Sequence, residues 1–93
     1  MPELHFVIDW PDGTPQTCYS PSTIVRDHFE PGARYPIAEF LVRSRTALIA
    51  ASERVRQRRG APCSLALAQL AGIEVAAARY PASALVVFRS FGE

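Results

Sequence analysis

Two arginines and a serine occupy positions on one predicted helix where apolar side chains would be expected. When residues 36–59 are plotted at 100° per residue, Arg45, Ser52 and Arg56 fall on one flank of the apolar arc. Guanidinium groups present planar hydrogen-bond donors that match the oxygens of carboxylates and phosphates. Together with Tyr35, just before the helix, these three residues form the candidate ligand-binding set, and the ligand would be a small anion.

A carboxylate on the next predicted helix offers a competing explanation for the same arginines. Glu74 lies among apolar residues on the inward side of that helix. A buried carboxylate without a partner is costly, so we expect Glu74 to pair with Arg45 or Arg56 across the helix interface. A structural ion pair would fix how the helices pack, whereas unpaired guanidinium groups would leave an anion site. The sequence leaves both interpretations open.

The two cysteines differ in their predicted surroundings. Cys63 directly precedes Ser64, which we predict to cap the last helix. The positive end of a helix stabilises a thiolate, so Cys63 is the candidate reactive thiol, although it could equally be a small packing residue. Cys18 lies within a predicted strand, where we expect an inert thiol.

Asp27-His28 with Glu30 could supply acid–base chemistry or metal ligands. The spacing of the two histidines and two cysteines, however, matches no zinc-binding pattern. We therefore predict no catalytic residue, no metal and no cofactor.

Alternation and turn signals predict two strands at the N-terminus. Apolar residues alternate from Leu4 to Trp10, and the Asp-Gly pair that follows is typical of a hairpin turn. The returning strand would run from Thr14 to Tyr19. Because Pro15 has no N–H to donate to a neighbouring strand, we place this strand at the edge of the sheet.

Serine, proline and glycine residues that begin or end helices divide the rest of the chain. They predict helices over 21–29 (with Ser20 as cap), 36–59 and 65–79, and a strand over 84–91. The order β-β-α-α-α-β predicts a single α+β domain over residues 1–93. Its three-stranded antiparallel sheet would have the first strand in the middle and the helices packed on one face. The open face would carry Val7 and either Val86 and Phe88 or Leu85 and Val87, which suggests a homodimer through that face.

Composition excludes several classes of protein. Hydrophobic residues make up 48% and charged residues 20%, a balance typical of a globular domain. Ten arginines against nine acidic residues give a net charge of +1, and no series of exposed aromatic residues alternates with the arginines, so nucleic-acid binding is not expected. Neither a membrane-spanning run nor a secretory signal is recognisable, so we expect a cytoplasmic protein without membrane contact.

Short strings spread along nearly the whole chain resemble one bacterial family. They are Met1-Pro2-Glu3, Trp10-Pro11-Asp12-Gly13, Cys18-Tyr19-Ser20-Pro21-Ser22, Phe29-Glu30-Pro31-Gly32, Arg43-Ser44-Arg45-Thr46-Ala47-Leu48 and Ala51-Ser52-Glu53-Arg54-Val55. Their order and spacing are similar to those of the small nitrogen-starvation response proteins encoded beside a nitrilase, a radical-SAM protein, an acetyltransferase-like protein and a flavoprotein. The resemblance implies a role in nitrogen scavenging, for example from nitriles or cyanide, and implies no catalytic residue.

Two classes of function fit these observations. Small size and an open apolar sheet face favour a non-enzymatic accessory or regulatory protein, which would bind itself or one of the enzymes encoded beside this family. The alternative is a small-molecule-binding protein or minor enzyme that uses Arg45, Ser52, Arg56 and Tyr35. Nucleic-acid binding is a distant third hypothesis.

Overall fold

The N-terminal hairpin consists of β1 (Leu4–Asp9) and β2 (Pro15–Ser20), which pair antiparallel in a computed structural model that describes residues 3–92. The turn is closed by the Trp10 N–H, which donates to the carbonyl of Thr14 over 2.9 Å. Gly13 has a φ of +88°, a left-handed conformation that glycine adopts without steric cost. The Asp-Gly pair thus forms the turn that the sequence predicts.

The sheet has four antiparallel strands in the order β2-β1-β4-β3, where β3 spans Arg34–Pro36 and β4 spans Leu85–Gly92. The interior position of β1 and the edge position of β2 are as predicted. The prediction of three strands was wrong because β3 was missed. Its three residues are too few to show alternation, and Pro36 reads as the start of the next helix.

Two α-helices follow, α1 (Ile37–Arg59) and α2 (Ser64–Ala77). Gly60 ends α1 in a left-handed conformation with φ +82°, and its N–H donates to the carbonyl of Arg56 over 2.7 Å. The N-cap of α2 is Cys63 rather than the predicted Ser64, which is the first residue of the helix. Within residues 3–92, no helix is both long enough and apolar enough to cross a bilayer.

The helix predicted over 21–29 is a 3₁₀ helix over Thr23–Asp27. Ser20 belongs to β2, and its hydroxyl donates to the carbonyl of Ser22 over 2.7 Å. Ser22 in turn accepts a hydrogen bond from the N–H of Ile24 and is the actual cap. Serine side chains that bond to nearby backbone in this way compete with helix formation, so a turn replaces the first part of the predicted helix.

One face of the sheet is covered by the helices and holds the core. The largest fully buried side chains are Phe6, Phe40, Phe88, Ile8, Leu48 and Ile73. Burying one such side chain contributes about 1.5–3 kcal/mol. Phe29, from the segment after the 3₁₀ helix, stacks on Phe88 with 4.8 Å between ring centroids.

The other sheet face is open and mixed in polarity. Because Val86 and Phe88 are buried, Leu85 and Val87 are the residues of β4 on this face, with Val7 of β1 beside them. Charged groups lie there as well, since Asp9 forms an ion pair with Arg89, with 3.4 Å between Oδ2 and Nε. A homodimer through this face stays a prediction.

Candidate functional site

The four side chains predicted to bind an anion lie far apart. Positions 37 and 52 of α1 are roughly 22 Å apart along the helix axis, so Tyr35, which precedes the helix, lies far from Ser52. Ser52 is buried, while Arg45 and Arg56 are exposed and each is paired with a carboxylate. The structure therefore does not bring the predicted set together.

The ion pair predicted for Glu74 forms with Arg45 across the two helices. Arg56 pairs instead with Glu53, one helical turn away on its own helix. The burial expected for the Glu74 pair is not observed, since the Arg45 and Glu74 side chains are 55% and 38% exposed. The flank of α1 that carries Arg45 lies at the outer rim of the helix interface, where water reaches both groups.

Tyr35 is a buried structural residue. Its hydroxyl oxygen accepts the N–H of Glu30 over 2.9 Å, and the guanidinium of Arg43 lies 4.7 Å from its ring centroid. Arg43 also donates to the carbonyl of His28 and to Glu39, each over 2.8 Å. These contacts tie the segment after the 3₁₀ helix to the start of α1. Apart from the i,i+4 pair of Arg43 with Glu39, sequence reasoning missed them because they join residues that no common periodicity relates.

Ser52 connects the two helices. Its buried hydroxyl accepts the backbone N–H of Cys63 over 3.0 Å. Cys63 is the N-cap residue of α2, and no side chain of α2 itself caps that end. Ser52 therefore satisfies a donor at the start of the neighbouring helix, a role that helix-cap patterns along one segment do not reveal.

The acid–base candidates Asp27, His28 and Glu30 do not form a cluster within residues 3–92. No hydrogen bond joins their side chains, and backbone atoms make the contacts found there, as with the His28 carbonyl and the Glu30 N–H. Groups of three or more potential metal ligands are likewise absent from this described part of the chain.

The two thiols differ in access. Cys18 is fully buried against the core, and this burial raises the pKa of its thiol to about 12. Cys63 is only partly buried and lines a surface cleft. Cys63 thus remains the candidate reactive thiol, and Cys18 is a packing residue.

That cleft has a volume of about 540 Å³ and lies where α1 ends and α2 begins, beside the start of β1 and the end of β2. Its polar lining comprises Glu3, Tyr19, Arg58, Arg59 and Cys63. Partial burial raises the pKa of Tyr19, with the nearby Cys63 and Glu3 adding to the increase and Arg59 opposing it. The sequence gives little signal for this site, because its residues come from four segments that are far apart along the chain.

A second feature is an apolar surface on the outside of the helices. The helices α1 and α2 run antiparallel, because Arg45 contacts Glu74 whereas the later residue Ser52 contacts the earlier residue Cys63. Large side chains are exposed on the outer faces of these two helices, and we call them the outer apolar surface: Val42 and Ile49 on α1, and Leu67 and Val75 on α2. Val75 is 68% exposed and Val42 is 62% exposed.

These features define a small two-layer α+β protein with a polar surface cleft and an apolar helical surface. A family model described as nitrogen starvation-induced protein NitG matches residues 5–91. The chain therefore belongs to this family, which confirms the resemblance of its sequence to nitrogen-starvation proteins. No curated protein and no solved structure matches the chain.

Proposed function

We propose that this nitrogen starvation-induced protein is a non-enzymatic accessory or regulatory protein that acts by binding another protein through the outer apolar surface. Family membership supports the role in nitrogen starvation. The alternative, an anion site on Arg45, Ser52, Arg56 and Tyr35, draws no support from the geometry. Both arginines are engaged by carboxylates and the serine by a backbone N–H.

The observation that carries the proposal is the exposure of α2. This helix has a single charged residue, Glu74, in fourteen, and a helix that is apolar on all sides is normally buried on all sides. Here only one side packs on the core, through Ala66, Leu70, Ile73 and Ala77. The opposite side leaves Val75 in water, Leu67 is exposed on the flank that carries Glu74, and exposed apolar patches are typical of protein interfaces.

The outer apolar surface also contains a means of selecting its partner. Arg45 and Glu74 form an ion pair that crosses it, and charged groups within an interface fix orientation and reject wrong partners. The partner we propose is an enzyme that scavenges nitrogen from nitriles or cyanide, of the kind that the sequence resemblance implies is encoded beside this family. A second copy of the chain is the competing occupant.

Co-purification and light scattering test this proposal. The tagged protein is co-expressed with each of those enzymes, and its own mass is measured by size-exclusion chromatography with multi-angle light scattering. Val75→Arg places a charge on the outer apolar surface, and Leu85→Arg is the matched control on the open sheet face. Both side chains are exposed, so neither change should unfold the protein.

We expect a complex that Val75→Arg abolishes and Leu85→Arg preserves. A protein that is monomeric alone and retains none of the enzymes would refute the proposed function. A complex lost with Leu85→Arg but kept with Val75→Arg would move the interface to the open sheet face and refute the role of α2.

A further inference from the structure

The cleft between the end of α1 and the start of α2 differs from the outer apolar surface because charged side chains line it. Its volume of about 540 Å³ falls in the range of small-molecule sites, roughly 300–1,000 Å³. It combines charged groups with an apolar wall, which is the composition expected where a small polar ligand is held.

Arg58 and Arg59 supply the positive charge of the cleft. Four other arginines of the chain are paired with carboxylates, namely Arg43, Arg45, Arg56 and Arg89. In contrast, no carboxylate of residues 3–92 lies within ion-pair distance of Arg58 or Arg59. Their guanidinium donors therefore remain available to a ligand, and the N-terminus of α2, which begins beside the cleft, adds partial positive charge nearby.

The opposite side of the cleft restricts which anion fits. Glu3 lies beside Tyr19 and contributes a negative charge there, so a ligand with two negative charges would be repelled. Val55 and Leu65 provide apolar surface for a short carbon chain. The lining thus combines two cations, one anion and an apolar wall.

We propose that this cleft binds a small organic monocarboxylate. The carboxylate is held by Arg58 and Arg59, whose planar donors match its two oxygens, and the carbon chain packs on Val55 and Leu65. Inorganic phosphate, which carries between one and two negative charges at neutral pH, is disfavoured by Glu3. The proposal goes beyond the proposed function and does not depend on it.

Titration of the ¹⁵N-labelled protein followed by NMR tests the site, with isovalerate and inorganic phosphate as probes at matched ionic strength. We expect isovalerate to shift the amide signals of Tyr19, Arg59 and Cys63 with saturation, and phosphate to bind more weakly. Shifts that do not saturate with isovalerate would overturn the proposal. Phosphate binding as tightly as isovalerate would overturn the assignment of a monocarboxylate.

Charge-matched variants distinguish local contacts from general attraction. The double variant Arg58→Gln/Arg59→Gln should weaken isovalerate binding about tenfold or more, because it removes charge-assisted hydrogen bonds. The control Arg34→Gln/Arg54→Gln removes the same charge at exposed positions outside the cleft lining and should leave the affinity unchanged. An equal loss in both variants would show non-specific attraction and refute the site.

The thiol of Cys63 gives a second measurement that needs no variant. Because Cys63 lines the cleft and Cys18 is buried, alkylation by iodoacetamide in native buffer reports on Cys63. Saturating isovalerate should slow this alkylation, and chloride at the same ionic strength should not. An alkylation rate unaffected by isovalerate would show that the ligand does not occupy the cleft.

Discussion

Replacing Ser52 with alanine should destabilise the protein, whereas the same replacement of Ser44 should not. Both serines lie on α1 and both are buried, with 4% and 1% of their surface exposed. They differ in one respect. The Ser52 hydroxyl accepts the Cys63 N–H over 3.0 Å, while the Ser44 hydroxyl has no hydrogen-bond partner within residues 3–92.

The expected magnitudes follow from this difference. Ser52→Ala leaves the Cys63 N–H without its partner, which costs about 1–3 kcal/mol. The better helix propensity of alanine returns about 0.5 kcal/mol. Ser44→Ala gains the same propensity term and also removes a buried hydroxyl that makes no hydrogen bond, so we expect it to be neutral or stabilising by up to about 1 kcal/mol. Since the propensity term cancels in the comparison, the difference contains the lost hydrogen bond to Cys63 and the removal of the unpaired Ser44 hydroxyl, which act in the same direction.

Thermal and urea unfolding measure this difference. In a domain of this size a change of about 1 kcal/mol shifts Tm by roughly 4–8 °C. Ser52→Ala should therefore melt at least about 4 °C below Ser44→Ala, with equal m-values in urea. Equal melting temperatures for the two variants, or a lower one for Ser44→Ala, would refute the assignment of Ser52 as the cap of α2.

Three further predictions concern the thiols, the ion pair and the core. In native buffer at neutral pH, iodoacetamide should modify Cys63 and leave Cys18 unmodified until the protein is unfolded, because burial raises the pKa of Cys18 to about 12 and excludes the reagent. Mass spectrometry of the two cysteine-containing peptides measures the labelling, and comparable labelling of both would contradict the prediction. A double-mutant cycle of Arg45→Ala and Glu74→Ala should give a coupling energy of about 0.2–1 kcal/mol, since both groups are partly exposed, and a value above about 3 kcal/mol would indicate a buried pair instead. Phe88→Ala should cost about 3–5 kcal/mol in urea unfolding because Phe88 is fully buried, and a cost under about 1 kcal/mol would disagree with its place in the core.

The elements that local sequence predicts well are those with a clear period and clear ends. The alternation of β1, the Asp-Gly turn and the span of α1 were all predicted closely, because each depends on neighbours within a few residues. The 3₁₀ helix was predicted as a longer α-helix, since the serine contacts that limit it involve individual hydroxyl groups rather than a period. The short strand β3 is held by pairing with β4, about fifty residues away along the chain.

The candidate sites show the same limit. The sequence identified Glu74 and the arginines of α1 as unusual, and the structure shows that Glu74 pairs with Arg45. Helical periodicity gives a side chain's direction around its own helix but not the distance to the neighbouring helix, so it placed this pair in the interior. The direction of each side chain around its helix was sufficient to predict which residues could pair. It was insufficient to predict how exposed the pair would be.

The sequence alone therefore determined the class of fold, the hairpin, the long helix and the family to which the chain belongs. Only the tertiary structure decided the fourth strand, the capping of α2 by Ser52, and the cleft that unites Glu3, Tyr19 and Arg59 with Cys63. The physical reason is that local propensities and periods act over one or two turns of chain. Contacts between distant segments depend instead on how the whole core packs.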